Sequence, residues 1–129
     1  MGSNLVASVL VVEDNEDIRE GMSLLLESEG YDVTEVGSAE EGLAQLKARS
    51  FHVVVTDYML TGETGGWMVE QAAQAGCLNQ TRVLMITAHP RVVPPQGVRI
   101  LHKPLDVNVF LSAVAEEMAA VRQREARTG

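Results

Sequence analysis

The chain has 129 residues, a net charge of −8 and a pI near 4.8, and 46% of its residues are apolar. That length fits one domain with one sizeable core, and the apolar share argues against disorder. The acidity opposes direct contact with a nucleic-acid backbone, and no apolar run approaches the roughly 20 residues of a membrane span.

Strand and helix patterns alternate along the chain. Ser8 to Glu13 is an apolar run rich in β-branched residues, the mark of a doubly buried strand. Asn15 is a good cap for a helix carrying Ile18, Met22, Leu25 and Leu26 at helical spacing, and Gly30 stops it. Tyr31 to Val36 alternates as a half-buried strand. Ser38-Ala39-Glu40-Glu41 is a capping box that opens a second helix, with Leu43 and Leu46 inside. His52 to Thr56 reads as the central strand. Gly62, Gly65 and Gly66 read as a loop, followed by a third helix from about Trp67 to Ala75. Arg82 to Ile86 and Val98 to His102 are the last two strands. Asp106 caps a final helix with Val107, Phe110, Leu111, Val114, Met118 and Val121 on one face. The order predicts a parallel sheet with helices on both faces and right-handed crossovers. Pro90, Pro94, Pro95 and Gly97 interrupt it, because proline in a helix interior costs about 3 kcal/mol. The connection before the fifth strand has room for one helical turn at most. The polar segment after Val121 reads as a fraying helix end or the start of a linker. Residues 5–122 are expected to form the domain and residues 123–129 the tail.

Four strand patterns end in polar groups: Glu13-Asp14, Asp57, Thr87 and Lys103-Pro104. In an open parallel sheet such ends line one edge, where ligands bind. Three carboxylates there repel one another, and a divalent cation with one ammonium relieves the repulsion. Oxygen donors suit Mg²⁺, or Mn²⁺ in its place, and the spacing of Cys and His does not suit zinc. Asp57 stands alone at the end of the central strand. It can act as a carboxylate nucleophile that takes a phosphoryl group as an acyl phosphate. Lys103 would neutralise the phosphoryl oxygens and Thr87 would donate a hydrogen bond to one of them. The sole cysteine, Cys77, excludes an internal disulfide and fits a reducing compartment, and no basic apolar leader opens the chain. The expected location is the cytoplasm, with no membrane contact.

These residues, in this order, resemble the receiver domain of two-component response regulators over nearly the whole chain, from about Ser8 to Val121. The family's paired acids fall on Glu13 and Asp14, its phosphoacceptor on Asp57 and its loop glycine on Gly65. Its switch hydroxyl falls on Thr87 and its lysine on Lys103. Only Lys47 and Lys103 are lysines, so a match at position 103 is hard to ascribe to chance. The resemblance implies a flavodoxin-like, doubly wound five-stranded sheet of order 2-1-3-4-5, with the family's fourth helix shortened or missing here. It implies Mg²⁺ bound by Glu13, Asp14, Asp57 and the Met59 backbone carbonyl. A histidine kinase or histidine phosphotransfer protein would be the phosphoryl donor in a phosphorelay, and an unidentified output partner or domain would read the switch. The domain would be a substrate and switch, catalysing only its own phosphorylation and dephosphorylation.

Three departures from the family stand out. Thr61 takes the place of a common proline, which with the nearby glycines suggests a more mobile loop. Ile100 takes the place of an aromatic residue whose rotamer follows the switch hydroxyl. The shortened segment after Thr87 removes much of the usual output face. Ile100 and that segment support a rival reading, an interaction module that signals without phosphorylation. A hydrolase with an Asp nucleophile would want Asp-x-Asp, and position 59 is Met.

Overall fold

A computed structural model of the chain describes residues 6–94 and 97–128. The elements in chain order are β1 (Ser8–Val12), α1 (Glu16–Ser28), β2 (Asp32–Val36), α2 (Ala39–Ala48), β3 (Val53–Asp57) and α3 (Gly65–Gln74). They continue with β4 (Arg82–Thr87), β5 (Val98–His102) and α4 (Val107–Thr128). The strands form one parallel sheet of order β2-β1-β3-β4-β5, as the resemblance implies.

Side chains alternate between the two faces of each strand, and each face has its own core. Val9 and Val11, Val53 and Val55, and Leu84 and Ile86 pack under α1 and α4, against Met22, Leu26, Phe110, Val114 and Met118. Leu10 and Val12, Val54, and Val83 and Met85 pack under α2 and α3, against Leu46, Met68, Val69 and Ala72. Every residue of β1 and β3 is buried, which is why residues 9–12 and 53–55 are unbroken apolar runs. Ile18 and Val107, expected on inner faces, are 47% and 50% exposed. Each stands in the first turn of a helix that follows a strand's C-terminal edge, and that turn overhangs the sheet.

Three of the predicted caps form. Asn15 Oδ1 accepts from the Ile18 N–H at 3.0 Å, Ser38 Oγ from the Glu41 N–H at 3.1 Å, and Asp106 Oδ1 from the Val109 N–H at 3.0 Å. Glu41 closes its box one residue early, accepting from the Gly37 N–H at 3.2 Å. Gly30 takes a φ of +91° after α1, a conformation that favours glycine. Gly65 and Gly66 belong to α3 and not to the preceding loop, and Thr64 is the cap, accepting from the Trp67 N–H at 3.0 Å.

No described residue between β4 and β5 is helical; the segment makes one turn at Pro90-Arg91 and then runs irregularly. Pro95, which the sequence reading also invoked, lies outside the described residues. Val98 and Ile100 of β5 share the α2 and α3 face but stay half-buried, with no helix of their own above them. On the other face β5 is fastened to α4 by charge. Arg99 reaches Glu116 at 2.7 Å and Glu117 at 3.4 Å, and buried Glu117 also accepts from Arg82 Nε at 2.8 Å. No helix among the described residues is long and apolar enough to cross a membrane.

Candidate functional site

The strand order and register decide which polar groups meet. Val12 pairs with Thr56 across β1 and β3, so Glu13 comes level with Asp57. Asp57 pairs with Ile86, which sets Thr87 one step beyond it, and Thr87 pairs with His102, which sets Lys103 one step beyond that. The backbone continues the ladder past the strand ends, with Tyr58 N–H donating to the Ile86 carbonyl at 2.8 Å and Lys103 N–H to the Thr87 carbonyl at 2.9 Å. β1 and β3 lie at the switch point of the sheet, where a crevice opens at the C-terminal edge.

Glu13, Asp14 and Asp57 each offer a carboxylate oxygen, and these oxygens lie within 4.8 Å of one another. Such an all-oxygen set could hold a hard divalent cation. Lys103 Nζ reaches Asp57 Oδ2 at 3.1 Å. Asp57, Thr87, Lys103 and Met59 line one cleft with Ala88, His89 and Pro90. Thr87 is buried and does not contact Asp57 by hydrogen bond; its Oγ accepts from the His89 N–H at 3.0 Å.

The three acids sit in different surroundings. Glu13 is buried, and burial pushes its carboxyl up to about 6, with smaller upward contributions from Asp14 and Asp57. The Asn15 N–H, 3.0 Å from Glu13 Oε2, opposes that rise. Asp57 is also raised by burial, and Lys103 holds the rise back. Asp14 is partly exposed and lowered, chiefly by its hydrogen bonds from Thr61.

Thr61, which stands where the family commonly has proline, fastens the loop that its glycines were expected to leave more mobile. Its N–H and its hydroxyl both donate to Asp14 Oδ2, at 2.8 and 2.7 Å, tying the β3–α3 loop to the end of β1. The sequence signal was available, since threonine brings two donors where proline brings none. Arg19 was missed as well; its Nη1 donates to the Glu13 carbonyl at 3.0 Å and so steadies the acid pair from α1. Gly65 is fixed by close approach. A Cβ there would stand 2.2 Å from the Asp57 carbonyl oxygen, and the Gly65 N–H donates to the Tyr58 carbonyl at 2.8 Å. His52 lies at the opposite edge, where its Nδ1 accepts from the Ser8 N–H at 3.1 Å.

A doubly wound α/β sheet with acids, lysine and hydroxyl gathered at its switch point defines a class of phosphoacceptor switch proteins. Residues 9–115 match the response regulator receiver domain, and the chain belongs to that family. It is 32% identical over 83 residues to the sensory transduction protein RegX3 of Mycolicibacterium smegmatis, covering 64% of this chain and 35% of that protein. It is 30% identical over 128 residues to the uncharacterized transcriptional regulatory protein YkoG of Bacillus subtilis, covering 93% of this chain and 53% of that protein. The chain thus spans between about a third and a half of these relatives. Its fold matches the CheY-like response regulator receiver domain protein of Methanospirillum hungatei JF-1, with a TM-score of 0.84 at 22% identity, over 93% of this chain and 99% of that one. Response regulators as a class work with histidine kinases and with output domains.

Proposed function

We propose that Asp57 accepts a phosphoryl group from a histidine kinase or histidine phosphotransfer protein, and that the resulting acyl phosphate switches a partner surface. The observation that carries this reading is the buried Asp57 carboxylate paired with Lys103 at 3.1 Å inside the acid cluster. An Asp57 oxygen forms a bond to phosphorus as the bond to the donor's imidazole nitrogen breaks, and that nitrogen leaves with its electron pair. Lys103 is positioned to follow negative charge from the carboxylate to the phosphoryl oxygens. Thr87 is one strand-end away, and its hydroxyl hydrogen is available to a phosphoryl oxygen while its oxygen holds the His89 N–H. Glu13, Asp14, Asp57 and the Met59 carbonyl would hold Mg²⁺, or Mn²⁺, which when bound supplies charge neutralisation at the transferring group. The domain, residues 5–122, is a substrate and switch in the cytoplasm with no catalytic turnover of its own beyond self-phosphorylation and dephosphorylation. Its acidic surface leaves nucleic-acid contact to an output domain of the kind that the names of its transcriptional relatives suggest.

Incubation with acetyl phosphate and Mg²⁺, followed by intact-mass measurement, tests the reading. One phosphoryl group is expected on the parent and none on Asp57→Asn, whose fold survives. A parent that never labels, or a variant that still does, overturns it.

A further inference from the structure

The β3–α3 loop is fastened to the acid cluster at one point, and that point is a residue the cluster does not include. Thr61 places two donors on a single oxygen, Asp14 Oδ2, at 2.8 and 2.7 Å. Asp14 is the least buried of the three acids and partly open to solvent, whereas Glu13 and Asp57 are buried. The buried pair is immobilised by its surroundings. Glu13 is held through the Asn15 N–H, and Asp57 is held through Lys103. Asp14 also meets the Glu13 carboxyl, but a partly exposed aspartate held by that one contact still samples several staggered rotamers. A carboxylate has about four lone-pair sites, so two donors on Oδ2 leave those of Oδ1 for a cation.

We propose that Thr61 is a positioning residue for the metal site: its two hydrogen bonds hold the Asp14 carboxylate in the orientation that closes the acid cluster, which raises the site's affinity for a divalent cation. This rests on the metal reading given above and adds a residue to it. Two effects oppose each other. Donors on Oδ2 withdraw some charge from the ligand, which weakens cation binding. They also remove the ordering that binding would otherwise require, which strengthens it. Asp14 remains a full anion while its rotamers collapse to one, so ordering wins. Because the bonds are open to solvent the effect is moderate, about three- to tenfold in dissociation constant, where each tenfold is about 1.4 kcal/mol.

The experiment is calorimetric titration of the full chain with MgCl₂, repeated with Mn²⁺ by electron paramagnetic resonance of the free ion. Five variants are compared: Thr61→Ser, which keeps both donors; Thr61→Val, which keeps only the N–H; Thr61→Pro, which keeps neither; Asp14→Ala; and Thr61→Val in the Asp14→Ala background. The expected result is parent-like affinity in Thr61→Ser, about threefold weaker binding in Thr61→Val and about tenfold in Thr61→Pro. In the Asp14→Ala background, Thr61→Val is expected to add nothing further, which a merely structural role for the loop would not produce. Unchanged or tighter binding in Thr61→Val and Thr61→Pro, with a parent that binds, overturns this inference alone. A parent that binds neither ion overturns the metal reading itself and this inference with it. Urea midpoints of all variants establish that each is folded.

Discussion

The β1–β3 half of the sheet and the β4–β5 half are built on different terms. β1 and β3 are buried along their whole length, lie between helices on both faces and end in the acid cluster. β5 is covered by α4 on one face only, and the chain reaches it from β4 through a segment with no helix among its described residues. A parallel connection is usually a dozen or more residues with a helix. Here about ten residues suffice, because an extended chain of that length reaches about 33 Å and a five-residue strand needs only about 17 Å of return. The acid cluster is therefore anchored where the packing is complete, and Thr87 and Lys103 reach it from the ends of β4 and β5. Two of the three departures from the family, Ile100 and the helix-free segment, fall where one face of the sheet is only partly covered. The outer edge of the sheet can change while the acid cluster and Lys103 keep their places at its C-terminal edge.

That contrast can be tested by rate first. Replacing Lys103 with Met removes the one ammonium that meets Asp57, and the labelling rate with acetyl phosphate should fall by about a hundredfold, the scale of losing one oriented charge-stabilising donor. Replacing Lys47 with Met, on the last turn of α2, should leave the rate unchanged. Equal rates in both variants would mean that Lys103 has no part in the chemistry.

Packing comes next. Leu10 and Ile100 lie on the same face of the sheet, Leu10 fully buried in β1 and Ile100 half-buried in β5. Leu10→Ala should cost about 3 kcal/mol, and Ile100→Ala about 1 kcal/mol because much of its surface is already wet. Urea denaturation measures both. Equal losses would show that something covers Ile100 as completely as α2 and α3 cover Leu10.

A smaller effect comes from Glu13. Its carboxyl stands at about 6 in the folded chain against 4.5 ordinarily, so the folded state binds more protons between those values. Stability without metal is then full below pH 4.5 and falls as the pH rises through 6, by about 2 kcal/mol in total. Glu13→Gln should lose this slope. Chemical denaturation at closely spaced pH values measures it, and a parent-minus-variant difference that rises with pH would contradict the assignment.

The smallest expected change is in assembly. Beryllofluoride with Mg²⁺, a mimic of the acyl phosphate, should leave the solution mass of the chain unchanged and alter amide exchange in the loops at residues 58–64 and 88–94. The family's usual pairing face requires a fourth helix, and Ile100 has no polar tip to follow Thr87. A dimer that substitutions on β5 and α4 abolish would remove the distinction between the two halves.

Much of this was legible in the sequence because strand ends are marked by a change of polarity. Glu13, Asp57, Thr87 and Lys103 each follow an apolar run, and parallel topology alone brings them to one edge. Asn15, Ser38 and Asp106 were readable as caps because their short polar side chains precede periodic apolar residues. The start of α3 was not readable. Gly65 and Gly66 look like loop punctuation, and only the approach of the Asp57 carbonyl explains why a helix begins with them. Thr61 was noticed as an absence of proline, while its contribution is the pair of donors it adds. That pairing depends on a loop conformation no local pattern encodes.

The helix-free link between β4 and β5 also bears on how the chain folds. Val83 pairs with Val98, whereas Val9 must find Val53 to join β1 to β3. The loop closed by the first pairing is roughly a third as long, and closing it costs about 1 kcal/mol less conformational entropy. The β4–β5 pair is thus the most local parallel contact in the sheet, and local contacts favour fast assembly. A segment that gives up cover in the finished fold gains speed on the way to it, and β4–β5 is where nucleation of the sheet meets the lowest entropic barrier.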